Sequence, residues 1–312
     1  EMATLLDLDW GDNLLELEIA SVNGQADENP TNDLLSKVLV RGNPRPNVID
    51  GYLDATPVIN IISSGADGLE TPRDLAFHPT LTRFELWVVN KETENFGGST
   101  TTYYNAGTAD QDSDWRQDGN AWHFMSLPTG IDFGENENFA TSPGVYDANH
   151  NGGDPFTGPA LWSSDPDIYA MPSGGNGSHL DMLHVSPYSQ GIAHQIDNVY
   201  WVVDGYNNDI VRYDFAHDHG PGNSFHGDAI MHRYADFSIE KDPGNHIVSH
   251  CHFDKPTGWL YVVDHGNQRV LRMLASSGEF GGVPNFGPFE DVEDYRYVVN
   301  YDWEELVTEG LS

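Results

Sequence analysis

Residues 259–270 read Trp259-Leu-Tyr-Val-Val-Asp-His-Gly-Asn-Gln-Arg-Val270, and this stretch decides the fold. A short aromatic and β-branched run ends in an acid, crosses a polar bend and begins a new apolar run. That is the signature of two strands joined by a turn. The same plan appears upstream as Val199-Tyr-Trp-Val-Val-Asp204 followed by Asn207-Asn-Asp-Ile-Val-Arg-Tyr213, and again as Glu85-Leu-Trp-Val-Val-Asn90. Each run has a further strand before it: Pro72–Phe77, Gln190–His194 and Ser249–Asp254. A weaker unit is Pro128-Thr-Gly-Ile-Asp-Phe133 with Asn138-Phe-Ala-Thr-Ser142. Self-similarity at this scale marks a repeat architecture.

The acid that closes the second strand has a structural task. Its carboxylate can accept backbone N–H groups across the bend, as in an Asx turn. One such sheet cannot bury both faces, so neighbouring sheets must stack. Radial stacking of four-stranded sheets gives a β-propeller.

The segment from Trp259 to Val270 resembles the signature of NHL-repeat propellers, and the likeness runs over roughly residues 58–274. It implies an all-β, six-bladed propeller over residues 51–312, preceded by an irregular N-terminal segment, residues 1–50. Residues 5–17 are the one stretch near the N-terminus that could be argued as a helix, and Trp303–Val307 reads as a short helical turn. Residues 297–312 read as the opening of a further blade, which points to an incomplete chain, since an open propeller leaves bare sheet edges. Residues 96–120 and 147–177 are rich in Gly, Ser, Thr, Asn and Asp and read as loop insertions on a binding face.

Composition narrows the partners. The 312 residues carry 14 Lys+Arg against 49 Asp+Glu, a net charge of −35. Such a surface repels nucleic acid and anionic membranes. It suits an extracellular or periplasmic protein with a protein, peptide or glycan ligand at the loop-rich face. Aromatics at 12% are too many for a disordered chain. Cys251 is the single cysteine, so no intrachain disulfide forms. No apolar run approaches the length of a membrane span, and no secretory leader opens the chain. Glu1 in place of an initiator Met reads as a processed or partial product.

Two sets of residues point to metals. The first is histidine, with 14 in the chain. His184, His194, His250, His252 and His265 lie in or beside the first strands of two units, which line the channel in a propeller. Converging imidazoles suit zinc or copper. His250 and His252 are two apart, on one face of a strand. The second set is Asp147, Asn149, Asn151 and Asp154 around Gly152, the first half of a calcium loop without its distal Glu. A polar turn has the same composition. Residues 217–226 hold three further histidines in a loop rich in Gly and Asp, solvated or able to lend a ligand.

The run from His184 to Ala193 with Val202-Val-Asp-Gly-Tyr-Asn-Asn-Asp-Ile-Val211 is similar to one blade of the peptidyl-hydroxyglycine alpha-amidating lyases. That resemblance implies a histidine-bound zinc, a structural calcium, Tyr206 as catalytic base and His250 as a zinc ligand. The departures are specific. Thr129 stands where another zinc histidine is expected, His265 where a substrate-binding arginine is expected, and a third ligand would fall beyond Ser312. Two functions follow: a secreted, calcium-stabilised binding or scaffold propeller, or a metal-dependent lyase using Tyr206 and His265. His/Tyr pairs also suit proton abstraction beside a carboxylate in a polysaccharide, although the negative surface disfavours a polyanion.

Overall fold

The computed structural model describes residues 59–150, 152–171, 175–242 and 247–308, and the backbone of two strands nearer the N-terminus. By contacts the chain divides into Glu1–Asn60 and Ile61–Ser312. In the first unit β1 (Gly11–Glu18) and β2 (Leu34–Arg41) pair antiparallel, Gly11 opposite Arg41 and Glu18 opposite Leu34. The irregular segment and the helix expected there are therefore corrected over these residues. The alternation Leu15-Glu16-Leu17-Glu18 has the period of a strand.

The second unit is all-β around antiparallel meanders. Sheet I runs β3 (Pro72–Phe77), β4 (Glu85–Thr93), β5 (Gly97–Tyr104) and β6 (Asp112–Arg116) in order. A one-turn helix, α1 (Ala121–Phe124), leads to sheet II, formed by β7 (Pro128–Phe133), β8 (Asn138–Pro143), β9 (Ala160–Ser163) and β10 (Asp181–Met182). Sheet III holds β11 (Ser189–Ile196), β12 (Val199–Asp204), β13 (Asp209–Asp214) and β14 (Ile230–Tyr234). Sheet IV begins with β15 (His250–Asp254), β16 (Trp259–Asp264) and β17 (Arg269–Leu274). The chain then returns to sheet III. There β18 (Glu279–Phe280) flanks β19 (Asp294–Val299), which pairs parallel with β14. Finally β20 (Trp303–Val307) pairs with β17 as the fourth strand of sheet IV.

Three expectations change here. Residues 96–120 are not a loop insertion, because they carry β5 and β6. Thr100–Thr102 and Tyr103 are β-branched or aromatic and buried. Gly97 and Gly98 serve close packing. Gly97 has φ +80°, and a Cβ there would lie 2.0 Å from the carbonyl carbon of Ala121. Residues 147–177 likewise include β9. The C-terminal residues do not open a further blade. β19 covers the edge of sheet III, and Trp303–Val307 is a strand, not a helical turn, with Glu304 accepting from Arg272 Nε at 2.7 Å across the ladder.

Consecutive sheets share cores. Trp87, Val89, Phe133, Phe139 and Trp162 fill the space between sheets I and II. Leu161, Ile192, Tyr200, Val202 and Tyr213 fill that between II and III. Trp201, Tyr234, Phe253, Leu260 and Leu271 fill that between III and IV. The first strands lie side by side in chain order, β3 by β7, β7 by β11 and β11 by β15. Their pairing repeats too, with Pro72 opposite Asn90, Pro128 opposite Pro143 and Ser189 opposite Asp204, each followed by a bulge.

Burial explains why similar strands differ. Every residue of β12 is buried, because sheets flank it on both sides. In β16, Leu260, Val262 and Asp264 are buried while Val263 is 47% exposed. Leu75 and Phe77 on β3 are 55% and 69% exposed. On the outer side of sheet I, Leu86, Val88 and Tyr103 form a small core with Leu69 and Ala106, beside which Leu75 and Phe77 remain exposed.

Candidate functional site

The site is built on the two strand-closing acids. Asp204 accepts the amides of Tyr206 and Asn207, each at 2.9 Å, and Asn207 Nδ2 at 2.7 Å. Asp264 repeats this, accepting Asn267 Nδ2 at 2.8 Å and Arg269 Nε at 2.9 Å. Both acids are fully buried, so the Asx bend read from sequence is what these residues form. The Asp204 carboxylate pairs with Arg233, whose Nη1 lies 2.8 Å from Asp204 Oδ2 and 2.6 Å from Asp209 Oδ1. Arg233 Nε donates to the Tyr295 hydroxyl at 3.0 Å. Burial pushes the Asp209 carboxyl up, with Arg233 pulling against it.

The bend lifts Tyr206 out of the sheet, where it is 41% exposed. Its ring meets Tyr146 at 5.6 Å and Phe286 at 5.4 Å between centroids. Tyr146 also meets Tyr188 at 5.7 Å. Beside Tyr206 lies a cavity of about 440 Å³. Gly205, Tyr206 and Asn208 wall it from one bend, Asn267 from the other, and Tyr188, Ser238, Glu240 and Lys241 from connections between sheets. The Lys241 ammonium sits 4.9 Å from the centroid of Tyr188. Gly205 makes this closeness feasible, since a Cβ there would stand 2.4 Å from the Tyr188 carbonyl oxygen.

An aromatic row continues away from the cavity. Phe286 packs on Phe289 at 5.2 Å, Phe289 on Phe156 at 5.9 Å, and Phe156 stacks on His184 at 4.0 Å. His184 is buried, with Nδ1 3.3 Å from Glu290 Oε2 and Nε2 without a partner. His123 and His226 lie 5.8 and 6.3 Å from it, ring to ring. His226 Nδ1 is bonded to the buried Asp181, which ties the 217–226 loop to sheet II, and Asp228 accepts from His219 Nε2 at 2.9 Å.

Of the other histidines expected to gather around a metal, His194 and His250 are engaged in other bonds. His194 is buried. Its Nδ1 accepts from Lys255 Nζ at 2.9 Å, so Nε2 carries the hydrogen given to the Asp197 carbonyl at 2.9 Å. His250 uses Nδ1 on the Cys251 carbonyl and Nε2 on Asp74 Oδ2, both at 3.0 Å. Both ring nitrogens of His194 and of His250 are thus engaged in hydrogen bonds within the protein. His252 is exposed on β15. His265 is half-buried, its amide donating to Ser249 Oγ at 3.0 Å. Thr129, where the resemblance expects a zinc histidine, has its hydroxyl on main-chain oxygens of Ser142, Ser189 and Gln190 at 2.7–2.9 Å. Among the described residues no three His, Cys, Asp or Glu side chains are placed to share a metal ion. Neither His250 nor His265 is among the described residues that line the Tyr206 cavity.

In the expected calcium loop, buried Asp147 accepts the amides of Asn149 at 2.9 Å and Gly153 at 3.1 Å. Asn149 and Asp154 are exposed, and Asn151 lies outside the described residues. This is the hydrogen bonding of a polar turn.

Burial acts to lower the pKa of His250, but the hydrogen bond and charge of Asp74 outweigh it and hold the value up. The stabilisation is therefore complete below the ordinary histidine value of about 6.5 and is lost as pH rises through the elevated one. NMR titration of the His250 ring should show an upward-shifted midpoint that falls in Asp74→Asn.

The resemblance to the amidating lyases singled out Tyr206, but nothing in the sequence marked Tyr146, Tyr188, Lys241 or Phe286. These lie in connections whose composition marks only turns.

No protein-family profile matches the sequence, and no curated protein matches it. Solved structures give weak likenesses. One is an auxiliary nutrient binding protein from Bacteroides ovatus, at 12% identity and TM-score 0.38, covering 65% of this chain and 38% of that one. Another is the hydrazine synthase of Kuenenia stuttgartiensis, at 11% identity and TM-score 0.35, covering 66% and 65%. A luciferin-regenerating enzyme matches at 13% identity and TM-score 0.30, covering 70% and 81%. The chain thus spans less than two thirds of the length of the first two.

Proposed function

We propose that this chain forms an NHL-like β-propeller of the six-bladed type that acts outside the cell as a binding module through the cavity beside Tyr206. The observation that carries the reading is that cavity: a partly exposed tyrosine raised by a buried acid, facing polar groups from two neighbouring sheets. Its volume, about 440 Å³, falls within the usual range for small-ligand sites. The side-by-side first strands and shared inter-sheet cores support the propeller, and the exposed Leu75 and Phe77 on sheet I and Val263 on sheet IV are where further sheets would pack. The acidic surface supports an extracellular setting. Calcium stabilisation rests on the donor types at Asp147, Asn149 and Asp154. A zinc or copper lyase has no comparable support, because His194 and His250 have no free ring nitrogen.

A thermal-shift screen of a mixed small-molecule library tests the binding reading. At least one compound should raise the Tm of the wild type and fail to raise that of Tyr206→Ala. If no compound distinguishes the two proteins, the cavity is not the site. A calcium chelator in the same assay should lower Tm; an unchanged Tm removes calcium from the proposal.

A further inference from the structure

We infer that the ligand of the Tyr206 cavity is a neutral sugar unit of a glycan, an inference that rests on the binding reading and names its ligand. A pyranose has an apolar C–H face and a rim of hydroxyls that both donate and accept. The Tyr206 ring supplies an exposed amphipathic surface for the face. The rim meets donors on Lys241 and Asn208 and acceptors on Glu240 and the two asparagines, Asn267 Nδ2 being held by Asp264 and the Ser238 carbonyl. Glu240 and Lys241 cancel in charge, so the cavity favours neither an anion nor a cation by itself. The net charge of −35 works against a polyanionic chain approaching it.

A peptide fits less well. Extended peptides are bound mostly by adding a strand to a free sheet edge. Here the walls are bends and connections, and the Tyr206 and Asn207 amides of the first bend already bond Asp204. The aromatic row from Tyr206 through Phe286 to Phe289, which is 43% exposed, offers further stacking surface for sugar units beyond the first.

The experiment is isothermal titration of the full chain with neutral gluco-, manno-, galacto- and xylo-oligosaccharides, beside a panning arm with a random peptide library. At least one oligosaccharide should bind, Tyr206→Ala should weaken it about tenfold or more, and Tyr206→Phe should keep most of the affinity. Circular dichroism of both variants confirms that they fold. Failure of every oligosaccharide to bind, or binding that Tyr206→Ala leaves unchanged, overturns the sugar assignment. A peptide whose capture depends on Tyr206 overturns it too, but leaves the cavity as the binding site. If no ligand of either class depends on Tyr206, the sugar assignment and the binding reading both fall.

Discussion

Replacing Arg233 by methionine is expected to cost about 3–5 kcal/mol of folding stability, as when one partner of a buried ion pair is removed. The guanidinium is almost wholly buried and bonds Asp204, Asp209, the Tyr295 hydroxyl and the Val185 carbonyl. Methionine fills much of the space and makes none of these bonds. Two carboxylates are then left without their cation where water cannot replace it. The Asp209 carboxyl, already pushed up by burial, loses the Arg233 charge that pulls against that rise. The sign of the pH dependence follows. Below the ordinary carboxyl range both states are protonated and the deficit is smallest, and it grows as pH rises and the unfolded chain alone ionises freely. Denaturant unfolding of wild type and variant at mildly acidic and mildly alkaline pH checks this. A deficit under about 1 kcal/mol at both would mean that the network does not hold sheet III together. Adding Asp209→Asn to Arg233→Met should recover part of the loss, since one stranded charge is gone.

The second large effect is at Trp162. Its side chain is fully buried at the heart of the core between sheets I and II. Rings of Tyr169, Phe124 and Phe139 surround it at 5.7, 6.4 and 6.4 Å, and Nε1 donates to Thr141 Oγ1 at 2.9 Å. Trp162→Ala removes the largest side-chain type, leaves a cavity that these rings cannot fill by small shifts, and strands a threonine hydroxyl. The expected cost is about 3–5 kcal/mol. Equilibrium unfolding measures it, and a loss below about 1.5 kcal/mol would show that the two sheets do not share this core as described.

The second strands of sheets III and IV were legible because Val-Val-Asp is a local pattern: a short apolar run and then an acid that bonds its own bend. Both depend on near neighbours. The strand β5 was not, because Gly97-Gly-Ser-Thr has the composition of a loop. Its burial comes from α1 and sheet II, which lie far along the chain from its own turns. The placement of β19 beside β14 has no local signal at all, as parallel pairing carries no hairpin mark. At the site, Tyr206 was marked by the resemblance to the amidating lyases, while Tyr146, Tyr188 and Phe286 reach it through connections with no periodicity. The histidines were visible as a residue type. Their bonding was not, since Asp74 and Lys255 approach His250 and His194 from other sheets.

The detour of the chain after β17 sets an order on biosynthesis. During translation sheets I and II have every strand early, whereas β14 and β17 wait with bare outer edges until β19 and β20 leave the ribosome. A stalled nascent chain ending before Asp294 would display both edges at once, making it a ready target for holdase chaperones and for pairing with a neighbouring copy.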